Sequence, residues 1–137
     1  GLRVGYMVAN KEITSLLNRL RAPFNVNIVA LAAAVAALDD TEFLKKTVEN
    51  NSTERERYAT FCKDHNLFMI PSKANFVAVD FKGYDAQAIA DKLLHQGIIV
   101  RPLLGYKLQD ILRISIGKPS ENDRLFNALD KILKEMK

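Results

Sequence analysis

The sequence predicts an α/β chain (an α+β small domain): a small sheet with helices packed on one face. Two features carry that prediction. From residue 67 onward, apolar runs of period two alternate with stretches of helical period, in the order strand, helix, strand, strand, helix. Before residue 67 the pattern is mainly helical, with only a short apolar run near the start. The composition permits such a fold: 48% hydrophobic and 26% charged residues over 137 positions suit one ordinary globular domain with its own core.

Taken in order, residues 2–9 read as a short strand of mixed polarity. Residues 12–20 carry Ile13, Leu16, Leu17 and Leu20 at helical spacing. Arg21-Ala-Pro-Phe-Asn-Val-Asn27 then breaks the pattern, because Pro23 disfavours helix for the residue before it. Asn25 or Asn27 caps the next helix. Residues 28–38 are nearly all apolar and rich in alanine, which favours a helix buried on most of its circumference. Asp39-Asp40-Thr41 marks a turn and a new start. A long polar helix follows over residues 42–65, marked by Phe43, Leu44, Val48, Tyr58, Phe61 and Cys62, with a bend expected at Asn50-Asn51-Ser52.

Residues 67–70 form a short apolar run ending at Pro71, and residues 75–81 alternate like a half-buried strand. Residues 85–96 are a helix: Asp85 caps it, Ile89, Leu93 and Leu94 form its apolar stripe, and Gly97 closes it. Residues 98–100 read as a strand leading into Arg101-Pro102. Residues 110–116 are another strand, and residues 120–136 the last helix, with Ser120 and Asp123 at capping-box spacing. Its stripe is Leu125, Leu129, Ile132 and Leu133. A boundary is expected within the long helix, with residues 1–50 as the tail of another unit and residues 51–137 as a small domain.

Several function classes are disfavoured. No apolar run reaches the ~18 residues a membrane-spanning helix needs. The first residues lack a signal-peptide layout and an initiator Met, which suggests a start inside a longer protein. The net charge of +4 is spread among acids along helices, with no basic face carrying stacking aromatics, so nucleic-acid binding is not expected. The single cysteine, Cys62, rules out an internal disulfide and fits a reducing cytoplasm; it reads as a packed thiol. Metal-ligand spacing, a Walker loop and a Gly-x-Ser-x-Gly elbow are absent.

The residues with chemical promise are arginines. Arg3 sits between Gly1 and Gly5 in an apolar run, where glycines let a ligand approach. It reads either as a phosphate or carboxylate holder or as a strand-edge charge in water. Arg113 raises the same alternative. Leu112, Ile114 and Ile116 share one strand face, so Arg113 and Ser115 share the other. If that face lines a cleft, Arg113 is an anion clamp; if it meets water, it is a solubilising charge. Arg101 emerges near a strand end, where α/β proteins often place ligand contacts. Arg101 and Arg113 together could hold two anionic groups of one substrate. His65 and His95 read as helix-end histidines favoured by the helix dipole.

Six ordered pieces carry a resemblance: Gly1-Leu-Arg-Val-Gly-Tyr6, Arg21-Ala-Pro-Phe-Asn-Val-Asn27, Ser72-Lys-Ala-Asn-Phe-Val77, Gly97-Ile-Ile-Val-Arg-Pro102, Leu112-Arg-Ile-Ser-Ile-Gly117 and Glu121-Asn122. They run from end to end of the chain, and the set resembles the C-terminal part of the histidinol-phosphate aminotransferases, pyridoxal-phosphate enzymes of fold-type I. The resemblance implies a C-terminal small domain over residues 51–137, with residues 1–50 as the tail of the large cofactor-binding domain. It implies that Arg3 binds the cofactor phosphate, Arg113 the substrate α-carboxylate and Arg101 the substrate's phosphate end, with Asn75 near the site. It also implies pyridoxal 5'-phosphate as cofactor, an amino-phosphate substrate with 2-oxoglutarate, a cytoplasmic setting and a homodimer.

The lysine that forms the Schiff base with the cofactor would lie upstream of Gly1, and the acid pairing with the cofactor's ring nitrogen has no match either. Lys11, Lys45 and Lys46 follow a surface pattern and are poor substitutes. No catalytic residue is therefore assigned in this chain, which is expected to be inactive alone. Two alternatives stand beside this reading. One is another fold-type I enzyme with a phosphorylated substrate, such as a threonine-phosphate decarboxylase-like protein. The other is a non-catalytic α/β domain binding an anion or a partner, which an exposed apolar patch over residues 31–38 would fit.

Overall fold

In the computed structural model, residues 2–136 are described. The chain divides into two units, Gly1–Lys45 and Lys46–Lys137, each connected mainly within itself. No helix among the described residues is long and apolar enough to cross a membrane.

The first unit is helical. The strand predicted over residues 2–9 does not form: nothing among the described residues pairs with the segment, and Arg3 takes φ +60°, which interrupts extended backbone. Gly1, the first glycine of that motif, lies outside the described residues. Helix α1 (Lys11–Leu20) starts at Asn10, whose side-chain oxygen accepts from the Ile13 N–H at 2.9 Å. Helix α2 (Ile28–Asp39) is capped in the same way by Asn27, which accepts from the Ala30 N–H at 2.8 Å. The expected burial of α2 is not observed. Only Ala30 is buried, whereas Ile28, Val29, Leu31, Val35 and Leu38 are exposed. An all-round apolar pattern permits burial but does not supply the surface that would cover it.

Helix α3 (Thr41–Asp64) begins at Asp40, which accepts from the Phe43 N–H, and it extends into the second unit. The Asn50-Asn51-Ser52 segment does not interrupt the helix, which continues through these residues as one element.

The second unit holds the sheet: β1 (Phe68–Ile70), β2 (Phe76–Asp80), β3 (Arg101–Leu103) and β4 (Leu108–Ser115), in the order β1-β2-β4-β3, antiparallel throughout. Helices α4 (Ala86–His95) and α5 (Pro119–Glu135) complete it. Val77 and Val79 of β2 and Leu112 and Ile114 of β4 point to one face. There they join Tyr58 and Cys62 of α3, Ile89 and Leu93 of α4, and Leu125, Leu129, Ile132 and Leu133 of α5 in one core. The predicted arrangement of helices on one sheet face is therefore the observed one.

The end of α4 decides where β3 begins. The Gly97 N–H donates to Leu94 O and the Ile98 N–H to Leu93 O, both at 2.9 Å, with Gly97 at φ +70°. This is a Schellman closure, in which a left-handed residue satisfies the last carbonyls. Residue 98 is thus committed to the helix end, and the strand predicted over residues 98–100 starts only at Arg101. A 3₁₀ turn (Leu104–Tyr106), followed by Lys107 at φ +62°, then reverses the chain into β4, which starts two residues earlier than predicted. Gly97→Ala is expected to destabilise the protein by about 1–2 kcal/mol, since a Cβ is strained at that φ. The measurement is the urea midpoint at unchanged m-value.

Helix α5 starts at Pro119, one residue before the predicted position, and its N-cap is Lys118. The Glu121 carboxylate accepts from the Lys118 N–H at 2.7 Å. The Ser120/Asp123 capping box is not the one used. Proline preset for the first helical turn was the available signal.

Cys62 is 2% exposed, and burial pushes its thiol up to about 11. The unfolded thiol releases its proton at lower pH, so this burial stabilises the fold fully below the ordinary thiol value. That contribution is lost as pH rises from there towards about 11. Cys62 in the folded protein is accordingly expected to resist iodoacetamide at pH 8 and to react once urea unfolds the chain. Alkylation followed by mass spectrometry checks this; rapid native labelling would refute it.

Candidate anion-binding site

The outer sheet face, opposite the helices, brings two of the sequence-predicted residues together. In the β3–β4 ladder Arg101 is the direct partner of Arg113, and on the other side of β4 Arg113 pairs with Ala78. Directly opposed residues of antiparallel strands have backbones about 5 Å apart, so the two side chains leave the same face side by side. Like charges in that position repel. Among the described residues no carboxylate lies within salt-bridge distance of either arginine.

Arg113 is half-buried, and its Nε is buried without a hydrogen-bond partner. Its guanidinium carbon lies 5.4 Å from the centre of the Phe76 ring, within cation–π range. Phe76 shares the outer face because β-strand side chains alternate, and it pairs with Ser115, two residues along from Arg113. Arg101 is exposed. The pair thus combines a half-buried guanidinium beside an aromatic ring with an exposed one. An anion between them would relieve the repulsion.

Asn75 stands one residue before β2 and is exposed; its carbonyl accepts from the Ile116 N–H at 2.9 Å, beside the exit of β4. Arg3 belongs to the first unit, where it is exposed and forms no salt bridge among the described residues.

Sequence reasoning missed the buried polar cluster behind the strand. Glu54 is 3% and Asn122 2% exposed. Asn122 Nδ2 donates to Glu54 Oε2 at 2.7 Å, and the Tyr58 hydroxyl donates to Asn122 Oδ1 at 2.9 Å. Arg57 donates to both oxygens of Glu54 and also pairs with Asp123, and those hydrogen bonds, Asp123's first, raise its pKa. Burial, reinforced by the Glu54 charge, pushes the Tyr58 hydroxyl well above the usual phenol value, so it remains a donor. A signal was present: stepping back by fours from Cys62 and Tyr58 puts Glu54 and Asn50 on the same buried stripe of α3.

The sequence model of the aminotransferase class I and II family matches residues 1–129. Histidinol-phosphate aminotransferase 2 of Haemophilus influenzae (strain 86-028NP) is 55% identical over 134 residues, covering 98% of this chain and 36% of that protein. Histidinol-phosphate aminotransferase of Campylobacter jejuni (strain RM1221) is 48% identical over 134 residues, with the same coverage. The chain therefore spans about a third of the length of the curated relatives it matches. Among solved structures, histidinol-phosphate aminotransferase from Sinorhizobium meliloti, in complex with pyridoxal-5'-phosphate, superposes with a TM-score of 0.79. It is 32% identical, over 92% of this chain and 35% of that one. The fold and the sequence agree, and the chain belongs to the aminotransferase class I and II family.

Proposed function

We propose that this chain supplies the anion-holding side of a pyridoxal-phosphate-dependent aminotransferase site in a longer protein. The reaction is transfer of an amino group from L-histidinol phosphate to 2-oxoglutarate, a step of histidine biosynthesis. The observation that carries the reading is the Arg101–Arg113 pair: two arginines directly opposed in the ladder, no carboxylate within salt-bridge distance among the described residues, and a buried Nε without a hydrogen-bond partner. The names of the relatives and the cofactor of the Sinorhizobium meliloti enzyme support it.

In this reading Arg113 grips the α-carboxylate of 2-oxoglutarate, and of the glutamate formed from it, using two parallel N–H···O bonds. Arg101 meets the phosphate end of the donor, and Asn75 borders the same corner. Arg3 fits a phosphate, being an exposed guanidinium free of any carboxylate among the described residues. The cofactor, when bound, supplies the electron sink for bond breaking at Cα. The lysine that carries it, and the acid facing its ring nitrogen, come from residues outside this sequence. Residues 1–50 are the tail of the large domain and residues 51–137 the small domain. The chain alone is inactive, and the full-length protein is a cytoplasmic homodimer. The exposed apolar side chains of α2 suit a piece of a larger protein and a partner-binding domain equally well, so they do not decide between the two.

The deciding assay follows glutamate formation by the full-length protein with pyridoxal phosphate, L-histidinol phosphate and 2-oxoglutarate. Turnover supports the proposal. Carbon dioxide release from threonine phosphate without amino transfer would replace it with the decarboxylase reading, and no reaction with either would sink both.

A further inference from the structure

We infer that Asn122 and Asn50 form a clamp that positions Arg113; this rests on the reading of Arg113 as the carboxylate holder. The clamp closes on Gly117, four residues beyond Arg113. The Gly117 N–H donates to Asn122 Oδ1 at 3.1 Å, and Asn122 Nδ2 donates back to Gly117 O at 3.1 Å. Asn50 Nδ2 donates to the same carbonyl at 3.0 Å. Both backbone polar groups of one residue are therefore gripped by side chains from α3 and α5.

Asn122 has nothing left over: its other contacts are the Tyr58 hydroxyl and Glu54. Glu54 is itself held by Arg57, which Asp123 holds in turn. A fully satisfied buried amide is directional, so it fixes orientation as well as volume.

The strand exit needs such a device. On the β3 side the ladder ends at Arg101 and Arg113, so residues 114–117 have no partner there. On the β2 side the last pair is Phe76 and Ser115, followed by the single Ile116–Asn75 bond. A cleft of about 320 Å³, lined by Ile114, Ser115, Gly117 and Asn122 among others, borders this stretch, while Ile114 and Ile116 pack on the core side. The hydrogen bonds to Gly117 fix the end of the strand beyond those side chains. Glycine suits the clamp, since an added Cβ would lie 2.7 Å from Glu121 Oε2, the carboxylate that caps α5, and 3.0 Å from Glu121 Cβ. A guanidinium makes two parallel bonds to a carboxylate only when its fork is correctly aimed, so fixing the strand behind Arg113 bears directly on how tightly it binds one.

The test uses the full-length enzyme loaded with its cofactor and measures KM for 2-oxoglutarate and kcat separately. Asn122→Asp keeps the shape of the amide, removes its donors and sets a second carboxyl group beside buried Glu54, so it opens the clamp. Its KM is expected to rise about tenfold with kcat within about twofold, because uniform binding is what is lost. Asn50→Ala, which removes one bond, is expected to raise KM about threefold. Each is combined with Arg113→Lys. A clamp acting through Arg113 gives double variants whose KM rises less than the product of the single effects. Effects that multiply, or single variants that only lower thermal stability, overturn the clamp while leaving the carboxylate reading standing. An unchanged KM in Arg113→Lys removes that reading, and the clamp with it. If Asn122→Asp fails to fold, Asn50→Ala and its double variant decide by the same criteria.

Discussion

Replacing Arg113 by alanine in the full-length protein is expected to lower kcat/KM for 2-oxoglutarate about a hundredfold or more. 2-Oxoglutarate carries the α-carboxylate that Arg113 is proposed to hold, and truncating one partner of a partly desolvated charge pair costs about 2–5 kcal/mol. Most of the effect should fall on KM, because the carboxylate is held in ground and transition states alike. Arg113→Lys should recover only part of the loss. An ammonium keeps the charge but not the planar fork that makes two parallel bonds. Arg101→Ala is the contrasting variant: it should weaken the phosphorylated donor and spare 2-oxoglutarate. Steady-state kinetics with each substrate varied in turn check the pattern. Equal losses for both substrates in Arg101→Ala would count against separate roles for the two arginines.

Phe81→Ala is expected to produce the largest loss of stability, about 3–5 kcal/mol. Phe81 directly follows β2 and is fully buried in the core of the second unit. Its N–H donates to Asp110 O at 2.8 Å, and its carbonyl accepts from the Tyr84 N–H, so the backbone cannot easily close over a cavity. Against a total of about 5–15 kcal/mol for a typical domain, that loss is large. Phe68→Ala is the control. Phe68 is 63% exposed on the outer sheet face, and removing its ring should change stability by about 0.5 kcal/mol or less. Urea unfolding of the two variants separates these cases. Similar midpoints would mean that the core is not organised around Phe81.

Local signals read well wherever chain chemistry alone settles conformation. Asn27 and Asp85 accept from the N–H three residues on, as their side-chain chemistry implies. The left-handed Gly97 ends α4 where a glycine at that position should. The alternation around Leu112 and Ile114 placed Arg113 on the face away from the core, which is where it stands. The segment around Arg3 failed for the opposite reason. A strand exists only when a partner completes its hydrogen bonds, and no local pattern supplies the partner. Burial of α2 failed likewise, because burial belongs to whatever packs against a helix.

The family membership and the arginines worth examining were already legible in the order of the motifs along the sequence. What only the tertiary structure decided is which of them meet. Residues 101 and 113 are separated by a reversed turn and an irregular register, yet they stand directly opposite each other. The buried cluster of Glu54, Tyr58 and Asn122 was equally hidden, because it joins residues of two helices that stand 64 and 68 positions apart in sequence. Strand alternation and helix period fix a side chain's face within its own element. Pairing across elements is set by sheet register and core packing, which are properties of the whole folded unit.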